Sequence, residues 1–577
     1  MKITVAKDKV NKTKVKELAT KFNISQEVAT LLLGRGLDER TIRELTSNVQ
    51  VLPKSNNITN IEESAYIIAD FLQNDNAEIF IYADYDSDGV NAGFIMYDCL
   101  HKLTEALESE CKVNVHFPNR TAGYGLNIDW CEEIVKYKAT TNKNILVMTV
   151  DNGITKYKEV AYLLNNNIDN VIITDHHVPK EGEVPEDVII VDPHLYPLED
   201  KNSLGLCGAG VAFKIADFLL REIYQDESNY SLIYLPHVAI ATITDMMPLT
   251  TENIQYVKYG LHLIENDYCI KGISHYKEYE GKDKLTAKDI AFGLGPELNA
   301  CGRMLKTEVA GQFFLAEDEE EVEDIYCLVN KINKERKAYQ KELTEIMLEN
   351  AFVSKQGKFA IAVLDEVGGV GGVLAAKLVE HTGLPCMVVS GEGDLLHGSA
   401  RSIGGLNLHD LLSEQVRLGN VLDFGGHEGA AGVHIDRRKI NAFLDSVDDK
   451  IVIDEITVPV QTEIEVDNVI TLKDINKDIV DSFDGIPFID TLKEPLYAVK
   501  DLEVSAWSTS KNNPENLCLT VKDNSTKTPK KIWVWGFASQ YLAMDAPKKI
   551  HLIGNVERDF MNKRNYTLSV KNVIAAC

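Results

Sequence analysis

The stretch Val171-Ile172-Ile173-Thr174-Asp175-His176-His177 decides how the rest of the chain is read. A short run of β-branched apolar residues reads as a buried strand, and it stops on an acid followed by two imidazoles. An acid and histidines delivered to the carboxyl end of a strand have the form of a metal site at a sheet edge. Adjacent histidines on an extended backbone point to opposite faces, so one can bind metal while the other meets substrate. Taken alone, the pair also fits a surface loop.

Outward from this stretch the same arrangement recurs. Ile79-Phe80-Ile81-Tyr82-Ala83 runs into Asp84-Tyr85-Asp86-Ser87-Asp88-Gly89, Ile145 to Val150 runs into Asp151-Asn152-Gly153, and Val188 to Val191 ends on Asp192. Val113 to Phe117 alternates like a further strand, and helical stretches are expected over Glu62 to Leu72 and Ala92 to Leu107. Strands alternating with helices predict an α/β fold with a mostly parallel sheet covered on both faces. In such sheets ligands bind at the carboxyl ends of the strands.

Ser231 to Thr244 reads as a buried helix ending in Asp245-Met246-Met247-Pro248. We place the catalytic α/β domain at 56–317, behind an N-terminal helical lead at 1–55 in which Ser25 caps a helix closed by Gly34 and Gly36. A long charged helix at 318–350 connects it to a second α/β domain at 351–448, which contains Gly368-Gly369-Val370-Gly371-Gly372. Residues 449–577 turn to short strands spaced as in a small OB-like β-barrel.

The 577 residues are 45% hydrophobic and 26% charged, as in soluble globular proteins. No leader is visible and no apolar run approaches the ~20 residues that span a bilayer, so a cytoplasmic location without a membrane partner is expected. Ten cysteines with no CxxC pair exclude a disulfide framework and a structural zinc module. The net charge of -28 argues against a polyanionic partner until its distribution is considered. Residues 501–577 hold eleven Lys/Arg against seven Asp/Glu and three of the four tryptophans, Trp507, Trp533 and Trp535. A basic, aromatic module on an acidic body suggests local nucleic-acid contact, with some of the body's carboxylates committed to metals. The plainer alternative is that these tryptophans belong to a β core.

Asp84-x-Asp86-x-Asp88-Gly89 opens like a calcium loop, but the twelfth position, which needs a bidentate Glu, is Ile95, and a strand precedes the acids. On an extended backbone Asp84, Asp86 and Asp88 share a face, and Gly89 frees the chain to turn into a helix. Carboxylates crowded with Asp151 and His176 in one crevice need bound cations to stay ionised. The donor set suits Mn²⁺ or Mg²⁺. Two such ions about 4 Å apart would activate water for phosphodiester hydrolysis.

These motifs, with Pro118-Asn119-Arg120, Gly123-Tyr124-Gly125-Leu126 and Leu298-Asn299-Ala300-Cys301-Gly302-Arg303, resemble in order those of the DHH phosphoesterase superfamily, and more narrowly its RecJ exonuclease family. Gly398-Ser399-Ala400-Arg401-Ser402 and Phe424-Gly425-Gly426-His427 resemble the signatures of the accessory DHHA1 domain, and the tail resembles the family's OB-fold. The resemblance implies a single-strand-specific 5′→3′ DNA exonuclease of recombination and repair that releases mononucleotides. It implies that Asp84, Asp86, Asp88, Asp151, His176 and Asp245 hold two Mn²⁺ or Mg²⁺ ions. His177 would lie near the scissile phosphate and Asp175 would orient the histidines. Arg120, Tyr124, Asn299 and Arg303 would handle terminal nucleotides, and Ser399, Arg401, Gly426 and His427 would grip the backbone. The plainer readings are an ion-pair role for Arg303 and a simple turn at 425–427.

Two positions depart from the family pattern. Glu297 stands where a basic residue is usual, which would weaken phosphate attraction, and Val367 replaces the customary His or Trp before Gly368. Two other readings compete: a hydrolase of very short oligonucleotides or cyclic dinucleotides, and a non-catalytic replication scaffold. A single-strand-binding protein or a helicase is the natural protein partner.

Overall fold

The computed structural model describes residues 2–576 apart from 48–51, 121–122, 181, 199–200, 227, 452–462, 490 and 560–564. The chain forms two compact units, one of residues 53–247 with 259–460, the other of 1–52, 248–258 and 461–577. Among the described residues no helix is long and apolar enough to cross a membrane.

The first unit is built on a five-stranded, all-parallel sheet. Its strands lie in the order Lys112–His116, Ala77–Tyr82, Asn144–Val150, Asn170–Thr174, Ile189–Val191. The inner strands are buried runs of Ile, Val, Leu and Met, as a sheet covered on both faces requires. Tyr82 pairs with Thr149, Val150 with Thr174, and Thr174 with Val191, so the strand ends are level. Asp151, Asp175 and Asp192 follow them directly and Asp84 comes two residues after Tyr82, so one edge of the sheet collects the acids.

The connecting helix, Glu319–Asn350, is capped by Asp318, whose side chain accepts the amides of Glu320 and Glu321. It leads to a six-stranded mixed sheet in the order Asp423–Gly426, Ala430–Asp436, Leu395–Arg401, Cys386–Ser390, Ala360–Leu364, Ala351–Val353. Only Ala360–Leu364 and Cys386–Ser390 pair in parallel.

The second unit joins the N-terminal residues to the C-terminal segment. Its first element is a strand, Lys2–Val5, paired in parallel with Glu463–Val466. Helices Lys12–Phe22, Gln26–Gly34 and Glu39–Thr46 follow, and Ser25 caps the second as expected. Leu18, Val28, Leu32 and Ile42 share one core with Leu502, Leu519, Val534 and Leu552. The C-terminal sheet is OB-like, with five antiparallel strands in the order Lys530–Val534, Leu517–Lys522, Tyr497–Thr509, Lys549–Arg558, Tyr566–Ala575, and Asn468–Ile470 added in parallel to Tyr497–Thr509.

Arg35 fastens the lead to this sheet. Its Nη2 donates to Asp467 Oδ2 at 2.9 Å and its Nε to Asp467 Oδ1 at 3.2 Å, while the guanidinium also donates to the carbonyls of Lys493 and Glu494. Arg35 and Asp467 side chains are only 19% and 13% exposed, so removing one partner strands a buried charge. Arg35→Ala should destabilise this unit by about 3 kcal/mol. The measurement is the denaturant midpoint followed by tryptophan fluorescence, because Trp507, Trp533 and Trp535 all lie here.

Candidate functional site

The acids reach the sheet edge by different local devices. Asp84 sits two residues past Tyr82, in the link between strand and helix, and is buried. Asp86 caps helix Ser87–Ala106: its Oδ1 accepts the amides of Asp88 at 2.9 Å and Gly89 at 3.1 Å. The helix thus begins five residues before the expected Ala92, and Asp88 projects from its first turn rather than from an extended segment. Gly89 is helical too; a Cβ there would lie 2.6 Å from Asp84 Cα, so its task is close approach rather than turning.

Asp88 is held by a second helix, Gly208–Phe218. The Gly208 amide donates to Asp88 Oδ2 and the Ala209 amide to Oδ1, both at 2.7 Å. Gly208 must lack a side chain, since a Cβ would lie 2.4 Å from Asp151 Cβ. Asp151 itself has φ of 62°, an uncommon backbone for a residue other than Gly, Asn or Asp. Buried Asn152 fixes this turn, with Nδ2 donating to the carbonyls of Tyr82 and Val150 and Oδ1 accepting the Leu126 amide.

His176 Nε2 lies 3.1 Å from Asp151 Oδ1, 3.6 Å from Asp88 Oδ2 and 3.9 Å from Asp245 Oδ2. Ligand atoms of Asp84, Asp86 and Asp151 likewise lie within 4.8 Å of one another. The structure therefore brings together all six residues expected to hold metal. Asp84 Oδ1 and Asp151 Oδ1 are buried and accept no hydrogen bond, which is the condition of a carboxylate awaiting a cation.

The electrostatics agree. Burial, then the charge of Asp86, pushes Asp84 well above the ordinary carboxylate range and Asp88 up to about 7. Asp151 is raised by burial and then by Asp88, and Asp245 to about 8 by enclosure and then by Asp88 and Asp86. Burial, followed by the charge of His177, pushes His176 down to about 3, leaving the neutral imidazole that a metal requires. Divalent cations fit this set of carboxylates and one neutral imidazole.

The two histidines are not on opposite faces. They follow the end of the strand, and their rings are 4.4 Å apart. Asp175 accepts both their amides, the Ile154 amide and, at 2.8 Å, His177 Nδ1. Burial would raise Asp175, but the His177 hydrogen bond and charge bring it below its usual value. Burial would lower His177, and Asp175 overrides it to raise His177 to about 9. Tyr124 Oη lies 3.0 Å from His177 Nδ1 and 3.3 Å from Nε2, and the Arg120 guanidinium lies 4.9 Å from the centre of the Tyr85 ring.

Asn299 supports the acidic loop. Its Oδ1 accepts the Ser87 amide at 2.9 Å, and a Cβ on nearby Gly302 would lie 2.2 Å from the Tyr85 carbonyl. Helix Gly295–Arg303 is thus the floor on which the acidic loop rests. Arg303 forms no ion pair among the described residues; its Nη1 donates to the Gly369 carbonyl at 3.0 Å. Glu297 is buried, receiving Tyr326 Oη at 3.2 Å and Asn333 Nδ2 at 3.5 Å, so it braces the connecting helix rather than facing a strand. Ser399 and Arg401 lie beside the Gly371–Gly372 helix start, with Arg401 Nη2 3.2 Å from the Cβ position of Gly372. Gly426 and His427 form a tight turn in which His427 exchanges backbone bonds with Ala430 and leaves its ring exposed.

The sequence reading passed over Gly208, Ala209 and Asn152. The Gly205-Leu206-Cys207-Gly208-Ala209-Gly210 stretch at the opening of an apolar helix was the available signal.

Sequence profiles place this geometry. The DHH family, N-terminal domain, matches residues 78–242, and the DHHA1 domain matches residues 356–452. The single-stranded-DNA-specific exonuclease RecJ of Escherichia coli is 30% identical over 435 residues, 72% of this chain and 72% of that protein. The chain belongs to the RecJ family. RecJ of Bacillus subtilis is 30% identical over 533 residues, and there this chain spans 64% of the relative's length against 89% of its own. The fold matches RecJ of Thermus thermophilus in complex with Mn²⁺ over 98% of this chain and 78% of that one, with a TM-score of 0.78 at 22% identity. An exonuclease RecJ bound to manganese matches over 71% of this chain and 99% of its own, with a TM-score of 0.58 at 26% identity.

Loss of the Asn299 carboxamide should loosen the acidic loop without removing a ligand. Asn299→Ala is expected to weaken Mn²⁺ binding about tenfold to a hundredfold by titration calorimetry, with the circular dichroism spectrum unchanged.

Proposed function

We propose that this RecJ-family chain hydrolyses single-stranded DNA from its 5′ end to mononucleotides, in recombination and repair. The observation that carries the reading is the convergence of Asp84, Asp86, Asp88, Asp151, Asp245 and His176 at one sheet edge, in two groups of three at ligand distance, Asp84 with Asp86 and Asp151 and Asp88 with His176 and Asp245, beside the Asp175–His177 pair. Mn²⁺ or Mg²⁺ held there, as two ions, would supply a low-pKa water and neutralise charge on a phosphodiester.

The chain's own groups do the rest. Asp175 keeps His177 protonated and oriented, so the imidazolium can donate to a phosphoryl oxygen or to the departing 3′ oxygen. Tyr124 and Arg120 flank that position. Ser399 and Arg401, beside the amides that open helix Gly371–Thr382, suit a backbone phosphate. In the OB-like sheet Trp533 and Trp535 are 37% and 51% exposed, and their rings stack at 5.5 Å, with Lys531 on the same strand face. That face suits base stacking and phosphate contact. Trp507 packs edge-on against buried Tyr541 and serves the rim of the core. A single-strand-binding protein or helicase that presents the strand fits this activity.

Long single strands labelled at the 5′ or the 3′ end, offered with Mn²⁺, Mg²⁺ or EDTA, test the proposal. Mononucleotide should leave first from the 5′ label, and EDTA should stop it. Cleavage confined to dinucleotides, or binding without turnover, would refute it in favour of the short-oligonucleotide or scaffold reading. Asp151→Ala should lower the rate more than about a hundredfold while leaving strand affinity nearly unchanged, because the residue serves the ions rather than the polymer. Parental turnover in that variant would contradict the assignment.

A further inference from the structure

Two arginines from separate elements border the glycine loop that opens helix Gly371–Thr382, and a third, Arg336, lies near enough to Arg303 for their charges to repel. Arg303 ends helix Gly295–Arg303 and donates to the Gly369 carbonyl, and a Cβ on Gly369 would lie 2.4 Å from the Arg303 carbonyl. Arg401 ends strand Leu395–Arg401 beside Gly372. Arg336 comes from the connecting helix, one turn before Tyr339, whose ring lies 3.8 Å from the Cβ position of Gly368.

Arg336 is held in place without being neutralised. Its Nη1 donates to Gln340 Oε1 at 2.9 Å and its Nη2 to Asn333 Oδ1 at 2.6 Å, both uncharged and on its own helix. Its Nε is buried and has no acceptor. Asn333 in turn donates to Glu297, so the acid that departs from the family pattern steadies Arg336 through a neutral intermediary. Among the described residues no carboxylate pairs with Arg120, Arg303, Arg336 or Arg401. Burial first, then the charges of Arg120 and Arg336, push Arg303 down to about 10 against a smaller opposing pull from Asp86. Arg303, Arg336 and Arg401 are half-buried; guanidiniums drawn out of water are ordinarily paired, and a chain with 88 Asp and Glu has no shortage of partners. A set left unpaired is a site prepared for an anion.

We propose that Arg336 is a phosphate-binding residue of the connecting helix, which with Arg303 and Arg401 forms a pocket for one internucleotide phosphate of the single strand. This rests on the exonuclease reading above. Glu297 and Asn333 are positioning residues for it. A guanidinium held by two neutral amides keeps its full charge for the ligand, and its planar fork suits two phosphate oxygens at once.

The test measures affinity for a fluorescein-labelled single strand against salt concentration, using the full chain carrying Asp151→Ala so that the strand persists. Adding Arg336→Gln should lower affinity about tenfold at 0.1 M salt. It should also reduce the slope of log affinity against log salt by about 0.7, the value of one single-strand phosphate. Arg336→Lys should recover the slope, since the charge is kept, and both variants should melt at the parent temperature. An unchanged slope in Arg336→Gln overturns the assignment and leaves the exonuclease reading standing. Equal losses in the Gln and Lys variants with a lowered melting temperature mean a structural role and overturn it too. Inorganic phosphate added as competitor should displace the strand only weakly. Displacement of phosphate, but not of the strand, by Arg336→Gln would mark a site for free phosphate and also overturn it. A parent that fails to bind single strands overturns both readings.

Discussion

Carboxylates confined at one edge of a parallel sheet are the constraint on which the rest of this structure depends. Asp84, Asp88 and Asp151 are buried, Asp84 and Asp151 sharing one cluster with Asp86 and Asp88 another with His176 and Asp245. Burial and mutual repulsion both favour the protonated form, and only divalent charge reverses that preference. The surroundings are arranged around this conflict. Helix amides clamp Asp88, a left-handed turn presents Asp151, and His176 stays neutral while His177, one residue on, is charged. The same sheet edge separates the two imidazoles by chemistry rather than by direction, since Asp175 bonds the ring of only one of them.

The positive groups follow a complementary rule. The chain carries a net charge of -28, yet Arg303, Arg336 and Arg401 gather where no described carboxylate neutralises them. One short helix, Gly295–Arg303, touches both groups. It supports the acidic loop through Asn299 and Gly302 and meets the accessory domain through Arg303. A polyanion processed by metal-dependent hydrolysis needs both surfaces close together.

Much of this was legible in the sequence. Buried parallel strands declare themselves as β-branched runs, and an acid directly after each run fixes the ligand edge. The motif order carries the family and the two α/β domains, but not the strand that precedes the helices of the N-terminal lead. That strand pairs with Glu463–Val466, more than 450 residues away, and no local pattern predicts such a partner. Asp88 was assigned to an extended segment because Asp86 was weighed as a ligand and not as a helix cap. The hydrogen bonds of Asn299, Glu297 and Arg336 are not legible locally, because they are set by which helix packs against which. Glu297 looked like a repulsive charge facing DNA until Tyr326 and Asn333 were seen to enclose it.

The most direct test of the central claim is anomalous diffraction from a crystal of this chain soaked in Mn²⁺. The account predicts two peaks about 4 Å apart, enclosed by Asp84, Asp86, Asp88, Asp151, His176 and Asp245. Anomalous density elsewhere, with these side chains turned away from one another or bonded only to water, would contradict it.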